Sequence, residues 1–160
     1  MSFVAEDGTG LATANSYVAT AEASQYHDEL GNSAWAAAAE ELRELALRRA
    51  TRYIDGRYAF VGCVAVPTQA LKWPRTGAFD TEGRLLSGVP VQVREACLEL
   101  ALHLAEGGSV EAATAAEGAI RRQRVGPIET EYAEIERGRE FPFVSRLLAG
   151  LTVPRGLDRA

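Results

Sequence analysis

Cysteine, histidine and lysine are all scarce in this sequence, and their scarcity excludes several classes of protein. The two cysteines, Cys63 and Cys97, lie far apart, so the chain has neither a disulfide framework nor a Cys-x-x-Cys metal motif. We expect both thiols to be reduced. The two histidines, His27 and His103, fall in helical patterns without a Gly-x-Ser-x-Gly elbow or a His-Glu-x-x-His motif. The sequence therefore predicts no enzymatic activity, no metal and no cofactor.

Long apolar runs and a basic N-terminus are also missing. The longest apolar stretches, such as 35–39 and 60–66, are far shorter than the roughly 20 residues that cross a bilayer. Glu6 and Asp7 stand where a signal peptide needs a basic start. With 160 residues, 47% of them hydrophobic, the chain is long enough to bury a core without disulfides. We expect a single soluble domain, made in a cytoplasm.

An excess of positive charge is absent as well. The net charge of −5 disfavours a general electrostatic grip on nucleic acid, although it leaves room for a local basic patch. Of the 17 basic residues only Lys72 is a lysine, and arginine suits planar hydrogen bonding to carboxylates as well as to phosphates.

Periodic apolar residues predict a mainly α fold. The expected fold is a small helical bundle at residues 20–108, preceded by an extended N-terminal arm at 1–16. In the first helix Thr20 can act as the N-cap, and Gly31 ends the helix. Its predicted inner face consists of Ala23, Tyr26, His27 and Leu30.

Two longer helices are predicted to form the heart of this bundle. The second follows an alanine run after Trp35 and ends at Gly56, whereas the third has Pro90 as its first residue and ends at Gly107. The inward stripe predicted for the second helix is Leu42, Leu45, Ala46, Arg49, Ala50, Tyr53 and Ile54. The polar row predicted to face solvent is Glu41, Glu44, Arg48, Arg52 and Asp55.

The segment between these helices, 57–89, is rich in glycine and proline, which predicts a long structured loop. Leu71, Trp73 and Phe79 are its candidate apolar anchors. We expect Trp73, with Pro74 and Arg75 beside it, to hold the loop against the second and third helices. A stacking platform for single-stranded bases, flanked by Lys72 and Arg75, is the alternative.

The C-terminal third predicts a β ribbon at 120–132 and an apolar tail at 141–160. Two short runs of alternating residues flank Gly126-Pro127 in the ribbon, and the tail is apolar enough for a short amphipathic helix. The segment 110–119 fits a weak helix or a link equally well. The ribbon's arginines, Arg121, Arg122 and Arg124, fit contacts with phosphate or with carboxylates of another subunit.

Several short signatures occur in a fixed order along the chain. They are Ala14-Asn15-Ser16-Tyr17, Ala50-Thr51-Arg52-Tyr53-Ile54-Asp55, Gln69-Ala70-Leu71-Lys72-Trp73-Pro74-Arg75, Val89-Pro90, and Val125-Gly126-Pro127-Ile128 followed by Tyr132. The combination, which covers nearly the whole chain, resembles the phage proteins described as DnaT-like single-stranded DNA-binding proteins. Such proteins look like the head-to-tail connector adaptors of tailed phages.

The resemblance to connector adaptors implies a non-enzymatic virion protein at the head–tail junction, assembled in the host cytoplasm. It implies a homo-oligomeric ring, twelve-fold by the resemblance, that binds the portal protein and a stopper or tail-terminator protein. DNA would pass through the ring without sequence-specific binding, and no membrane is involved. The interface candidates are Arg121, Arg122, Arg124, Tyr132, Phe141, Phe143, Leu147 and Leu148. The alternative function is that of a single-stranded DNA-binding accessory protein in replication.

Overall fold

The computed structural model describes residues 2–110, 123–125, 128–130 and 141–153. Within these residues the chain forms five α-helices and two small antiparallel sheets, so the predicted mainly α class with a short ribbon is confirmed. In chain order the elements are α1 (Thr20–Glu29), α2 (Ser33–Ala37), α3 (Glu40–Arg57), β1 (Cys63–Val64), β2 (Arg75–Thr76), α4 (Val91–Ala105), β3 (Gln123–Val125), β4 (Ile128–Thr130) and α5 (Pro142–Leu148).

The core lies between α3 and α4, with α5 packed against α4. Apolar residues recur along α4 at helical spacing, and the resulting face is buried: Val93, Ala96, Cys97, Leu100, Ala101 and Leu104. Burial raises the pKa of the Cys97 thiol to about 12, so this cysteine stays protonated at neutral pH. No helix in the described part of the chain is both long and apolar enough to span a membrane.

The predicted second helix is divided into α2 and α3. Ala38 and Ala39 adopt extended backbone conformations between the two helices. Arg43 of α3 donates hydrogen bonds from Nε to the Trp35 carbonyl (3.0 Å) and from Nη2 to the Ala36 carbonyl (2.7 Å). These bonds satisfy carbonyls that a continuous helix would pair with its own next turn. The break accompanies complete burial of the Trp35 side chain.

The inward face of α3 differs from the predicted stripe. Ala46, Ala50 and Ile54 are buried as predicted, but Leu42 and Leu45 are 40% and 46% exposed. The helix turns by about 100° per residue, which places Leu42, Leu45, Arg49 and Arg52 on the side opposite the fully buried Leu47. Asp55, expected on the solvated row, instead accepts hydrogen bonds from other parts of the chain. Leu30 of the predicted inner face of the first helix is also exposed.

The predicted long loop between α3 and α4 contains β1 and β2, which pair with Cys63 opposite Thr76. Gly62 precedes β1 with φ of +74°, and a Cβ at this position would lie 2.5 Å from the Thr76 carbonyl oxygen. Glycine is therefore required where the two strands approach. Phe79, predicted as an anchor of the loop, is 52% exposed.

Candidate functional site

Three of the sequence signatures meet at the hydroxyl group of Tyr17. This hydroxyl donates a hydrogen bond to Asp55 Oδ1 and accepts one from the Trp73 backbone N–H at 3.3 Å. The second oxygen of Asp55 accepts the Lys72 backbone N–H at 3.1 Å, and the Tyr17 backbone N–H donates to Thr51 Oγ1 at 3.2 Å. We call these five residues the Tyr17 cluster. The three bonds made by Tyr17 connect segments that lie more than thirty residues apart in the sequence.

Burial dominates the electrostatics of this cluster. It raises the pKa of Tyr17, and the negative charge of Asp55 raises it further, so the hydroxyl remains protonated and can donate. Burial also raises the pKa of Asp55, against hydrogen bonds from Tyr17 and Lys72 and the positive charges of Lys72 and Arg75. The hydrogen-bonded arrangement of the cluster suits a structural junction.

The two basic side chains of the third signature are committed to backbone carbonyls. Lys72 Nζ donates to the Tyr58 carbonyl at 2.7 Å. Arg75 donates from Nε to Val61 (2.7 Å), from Nη1 to Lys72 (3.1 Å) and from Nη2 to Gly62 (2.6 Å). Both cations therefore hold this part of the long loop against the end of α3 and against the residues just before β1.

Trp73 and Gln69 complete this part of the loop. Trp73 is fully buried, with its ring centroid 5.7 Å from that of Phe60, which leaves no ring face open for a nucleic-acid base. The Trp73-Pro74 peptide bond is cis, and Pro74 is buried. Gln69 accepts the Val66 N–H at 2.8 Å and donates to the carbonyls of Leu71 (2.7 Å) and Pro74 (3.0 Å).

The N-terminal segment, residues 2–16, contains no helix, and hydrogen bonds to two polar side chains, Asn15 and Glu6, hold it in shape. Asn15 of the first signature accepts the Val4 N–H at 3.1 Å and donates to the Ser2 carbonyl at 2.7 Å. Glu6 is only 7% exposed, and its carboxylate accepts the backbone N–H groups of Gly8 (3.0 Å), Gly10 (2.7 Å) and Leu11 (2.9 Å). The sequence did not predict this role of Glu6, because an acidic residue beside turn glycines does not indicate which backbone N–H groups it will bind.

The interface candidates of the C-terminal third fall into three groups. Arg121, Arg122 and Tyr132 lie outside the described residues, and Arg124 in β3 pairs in register with Glu129 of β4. Phe141 and Leu148 are 6% and 0% exposed within their own chain, so neither side chain is open to a partner. Phe143 and Leu147 are half-buried and line an open groove.

This groove is formed by α1, α4 and α5, and we call it the α1–α4–α5 groove. It has a volume of about 280 Å³ and is lined by Tyr26, Glu95, Glu99, Phe143, Arg146 and Leu147. The Tyr26 hydroxyl donates to Glu99 Oε1 at 2.7 Å. Burial, this hydrogen bond and the charge of Glu99 together raise the pKa of Tyr26. The groove combines apolar walls with two carboxylates and one guanidinium group.

These features define a small, mainly helical protein in which three of the sequence signatures bind one another inside the fold. Among the described residues, no group of histidine, cysteine and acidic side chains is arranged to hold a metal ion. Residues 1–159 match the model of the family described as "Putative DnaT-like ssDNA binding protein", and the chain belongs to that family. No curated protein and no solved structure matches it. The match supports the predicted DnaT-like resemblance, but it gives no support to the resemblance to connector adaptors.

Proposed function

We propose that this protein binds single-stranded DNA and catalyses no reaction. The supporting observation is the match of residues 1–159 to a family whose description names that ligand. Single-stranded DNA is bound through contacts with the phosphate backbone and through stacking of bases on aromatic rings. The position of each such group limits where the DNA can lie.

The two tryptophans supply no platform on which a base could stack, so the proposal rests on contacts with the phosphate backbone. Trp35 and Trp73 are fully buried, so neither indole can stack on a base. Arg49 and Arg52 are exposed on the outer side of α3. The second basic cluster in the sequence is Arg121, Arg122 and Arg124. Because the net charge is −5, we expect binding through a local basic patch, and contacts with phosphates make such binding weaker as salt rises.

The second candidate function is that of a connector adaptor in a phage particle, which binds protein partners around a portal. Exposed apolar side chains that lie together favour it, because apolar patches mark protein interaction sites, and Phe79 and Leu85 face each other in one antiparallel bridge. The large hydrophobic residues exposed in the described part of the chain are Leu30, Leu42, Leu45, Val64, Phe79, Leu85, Val91 and Val153. Under this proposal the protein forms a ring that contacts the portal and a stopper or tail-terminator protein.

A titration of labelled single-stranded DNA at several salt concentrations tests the first function. We expect the logarithm of the binding constant to fall linearly with the logarithm of salt concentration, by roughly 0.7 per phosphate neutralised. Two variants compare the two basic clusters of the sequence: Arg49→Gln with Arg52→Gln, and Arg121→Gln with Arg122→Gln and Arg124→Gln. The variant that removes the binding surface should show a shallower salt slope, while the other retains the wild-type slope.

Light scattering with and without the portal protein of the same phage separates the two functions. A large species that forms only with the portal, together with no DNA binding even at low salt, would refute the first proposal in favour of the second. Salt-dependent DNA binding by a protein that ignores the portal would refute the second.

A further inference from the structure

The most conspicuous feature outside the Tyr17 cluster is a short hairpin formed by residues 78–86, which we call the 78–86 hairpin. Phe79 and Leu85 face each other in an antiparallel bridge, and the Leu86 N–H donates to the Ala78 carbonyl at 2.8 Å. The Asp80 carboxylate accepts the backbone N–H groups of Glu82 and Arg84, both at 2.9 Å, and also Arg84 Nε at 2.7 Å. The hairpin is therefore fixed before it meets a partner.

This fixed hairpin presents apolar side chains to solvent. Ala78 is fully buried at its base, whereas Phe79 is 52% and Leu85 is 65% exposed. The Arg84 side chain, which precedes Leu85 at the turn, is 76% exposed even though it binds Asp80. A preorganised aromatic and aliphatic pair loses little conformational entropy on docking, and aromatic anchors of this kind dominate many protein interfaces.

The α1–α4–α5 groove has the complementary properties. Its volume of about 280 Å³ is below the range of roughly 300–1,000 Å³ typical of pockets for drug-sized ligands, so it suits one or two side chains. Tyr26, Phe143 and Leu147 supply apolar contacts, and the carboxylates of Glu95 and Glu99 can accept hydrogen bonds from a guanidinium group. The hairpin of the same chain does not fill this groove, because Phe79 and Leu85 remain exposed.

We propose that the 78–86 hairpin of one molecule docks into the α1–α4–α5 groove of a second copy of this chain. Phe79 and Leu85 pack against Phe143 and Leu147, and Arg84 pairs with Glu95. The interface joins two different surfaces, so each molecule offers one hairpin and one groove. This association involves no DNA and does not depend on the DNA binding proposed above, and the ring of the second candidate function also needs an interface between two different surfaces.

A mixing experiment tests the docking directly. Phe79→Asp disables the hairpin but keeps the groove, while Leu147→Asp disables the groove but keeps the hairpin. In sedimentation velocity over a concentration series, we expect wild-type protein to self-associate and each variant to stay monomeric. An equimolar mixture of the two variants should form a one-to-one heterodimer that does not grow further. Val91→Asp changes another exposed apolar residue, and this control should associate like the wild type.

A charge exchange supplies a second test for the case in which Leu147→Asp does not fold. Arg84→Glu and Glu95→Arg should each weaken self-association by about tenfold or more, and the double variant should recover most of the loss. A wild-type protein that remains monomeric at every concentration would overturn the proposal. So would a Phe79→Asp variant that associates normally, or a double variant weaker than either single variant. All of these measurements are made without DNA, so failed DNA binding would leave the result intact.

Discussion

A single hydroxyl group, that of Tyr17, links the start of the chain to α3 and to the long loop. It donates to Asp55 and accepts from the Trp73 backbone, and the Tyr17 side chain is only 1% exposed. Water cannot replace either bond without entering the core. Loss of the hydroxyl would therefore leave a buried carboxylate oxygen and a buried N–H without their partner, and unmade buried hydrogen bonds are costly.

We predict that Tyr17→Phe lowers the free energy of unfolding by about 2–3 kcal/mol, because it deletes this oxygen and keeps the ring. Tyr58→Phe is the matched control, since the Tyr58 hydroxyl bonds Ser145 Oγ at 2.8 Å at an exposed position. For the control we expect a change within about 0.5 kcal/mol. Urea denaturation of both variants measures the difference, and equal effects would contradict the role assigned to Tyr17.

The sequence alone could not predict this junction. The spacing of charged residues predicted that Asp55 lies with Arg48 and Arg52 on the solvated face of the helix. An acidic residue three or four positions from an arginine usually forms an ion pair on such a face. The partner of Asp55 lies 38 positions earlier in the chain. Helical periodicity describes neighbours within one helix and contains no information about contacts at that distance.

At the level of elements, α3 shows why periodicity predicted a helix but mistook part of its inner face. The helix has leucines on two opposite sides, Leu42 and Leu45 on one and Leu47 on the other. Both sides satisfy an apolar spacing of three or four residues, so the pattern is ambiguous. Packing against α4 resolves it, because the face that contains Leu47, Ala50 and Ile54 is the one covered.

Two leucine substitutions on α3 test this orientation. We predict that Leu47→Ala destabilises the protein by about 2–5 kcal/mol, since Leu47 is fully buried. Leu45→Ala removes the same atoms from a side chain that is 46% exposed, and should cost less than about 1 kcal/mol. Thermal unfolding of the two variants gives the comparison, and a larger loss from Leu45→Ala would mean that the helix face is wrongly assigned.

The long loop between α3 and α4 supplies a second prediction at this level. Trp73 is fully buried against Phe60, so Trp73→Ala should cost about 3–5 kcal/mol through lost contacts and a residual cavity. Phe79→Ala in the same loop is the control, and should change stability by less than about 1 kcal/mol because the ring is half exposed. A folded Trp73→Ala protein with wild-type stability would refute the anchoring role that the sequence predicted for this residue.

For the whole molecule, the broad outline was accessible from sequence while the tertiary contacts were not. Regular apolar spacing in α4 predicted the mainly helical class, and alternating residues on either side of Gly126-Pro127 predicted the ribbon that β3 and β4 form. The boundary between α2 and α3 was missed because it depends on Arg43 reaching back to the carbonyls of Trp35 and Ala36. The α1–α4–α5 groove was not predicted either, because its walls come from three separate parts of the chain.

The stability of the whole molecule should also depend on pH at both ends of the neutral range. Burial lowers the pKa of His27 below its ordinary 6.5, although Glu99 and Asp28 oppose the shift. The unfolded chain therefore binds this proton first, so stability falls as pH drops below about 6.5. Burial raises the pKa of Cys97 from 9.0 to about 12, so the unfolded chain loses this proton first and stability also falls above about pH 9.

We consequently predict a plateau of stability between about pH 6.5 and pH 9. Denaturant unfolding at about pH 5.5, 7.5 and 9.5 measures how the free energy of unfolding changes on each side of that plateau. His27→Gln should make the free energy of unfolding less dependent on pH on the acid side of the plateau only. Cys97→Ala should do the same on the alkaline side only. Both effects are separate from the loss of stability that each substitution causes inside the plateau. Because burial also raises the pKa of Asp55 above 3.8, its protonation favours the folded state and partly offsets the acid loss. An unchanged acid slope in His27→Gln would place the acid-sensitive group elsewhere in the molecule.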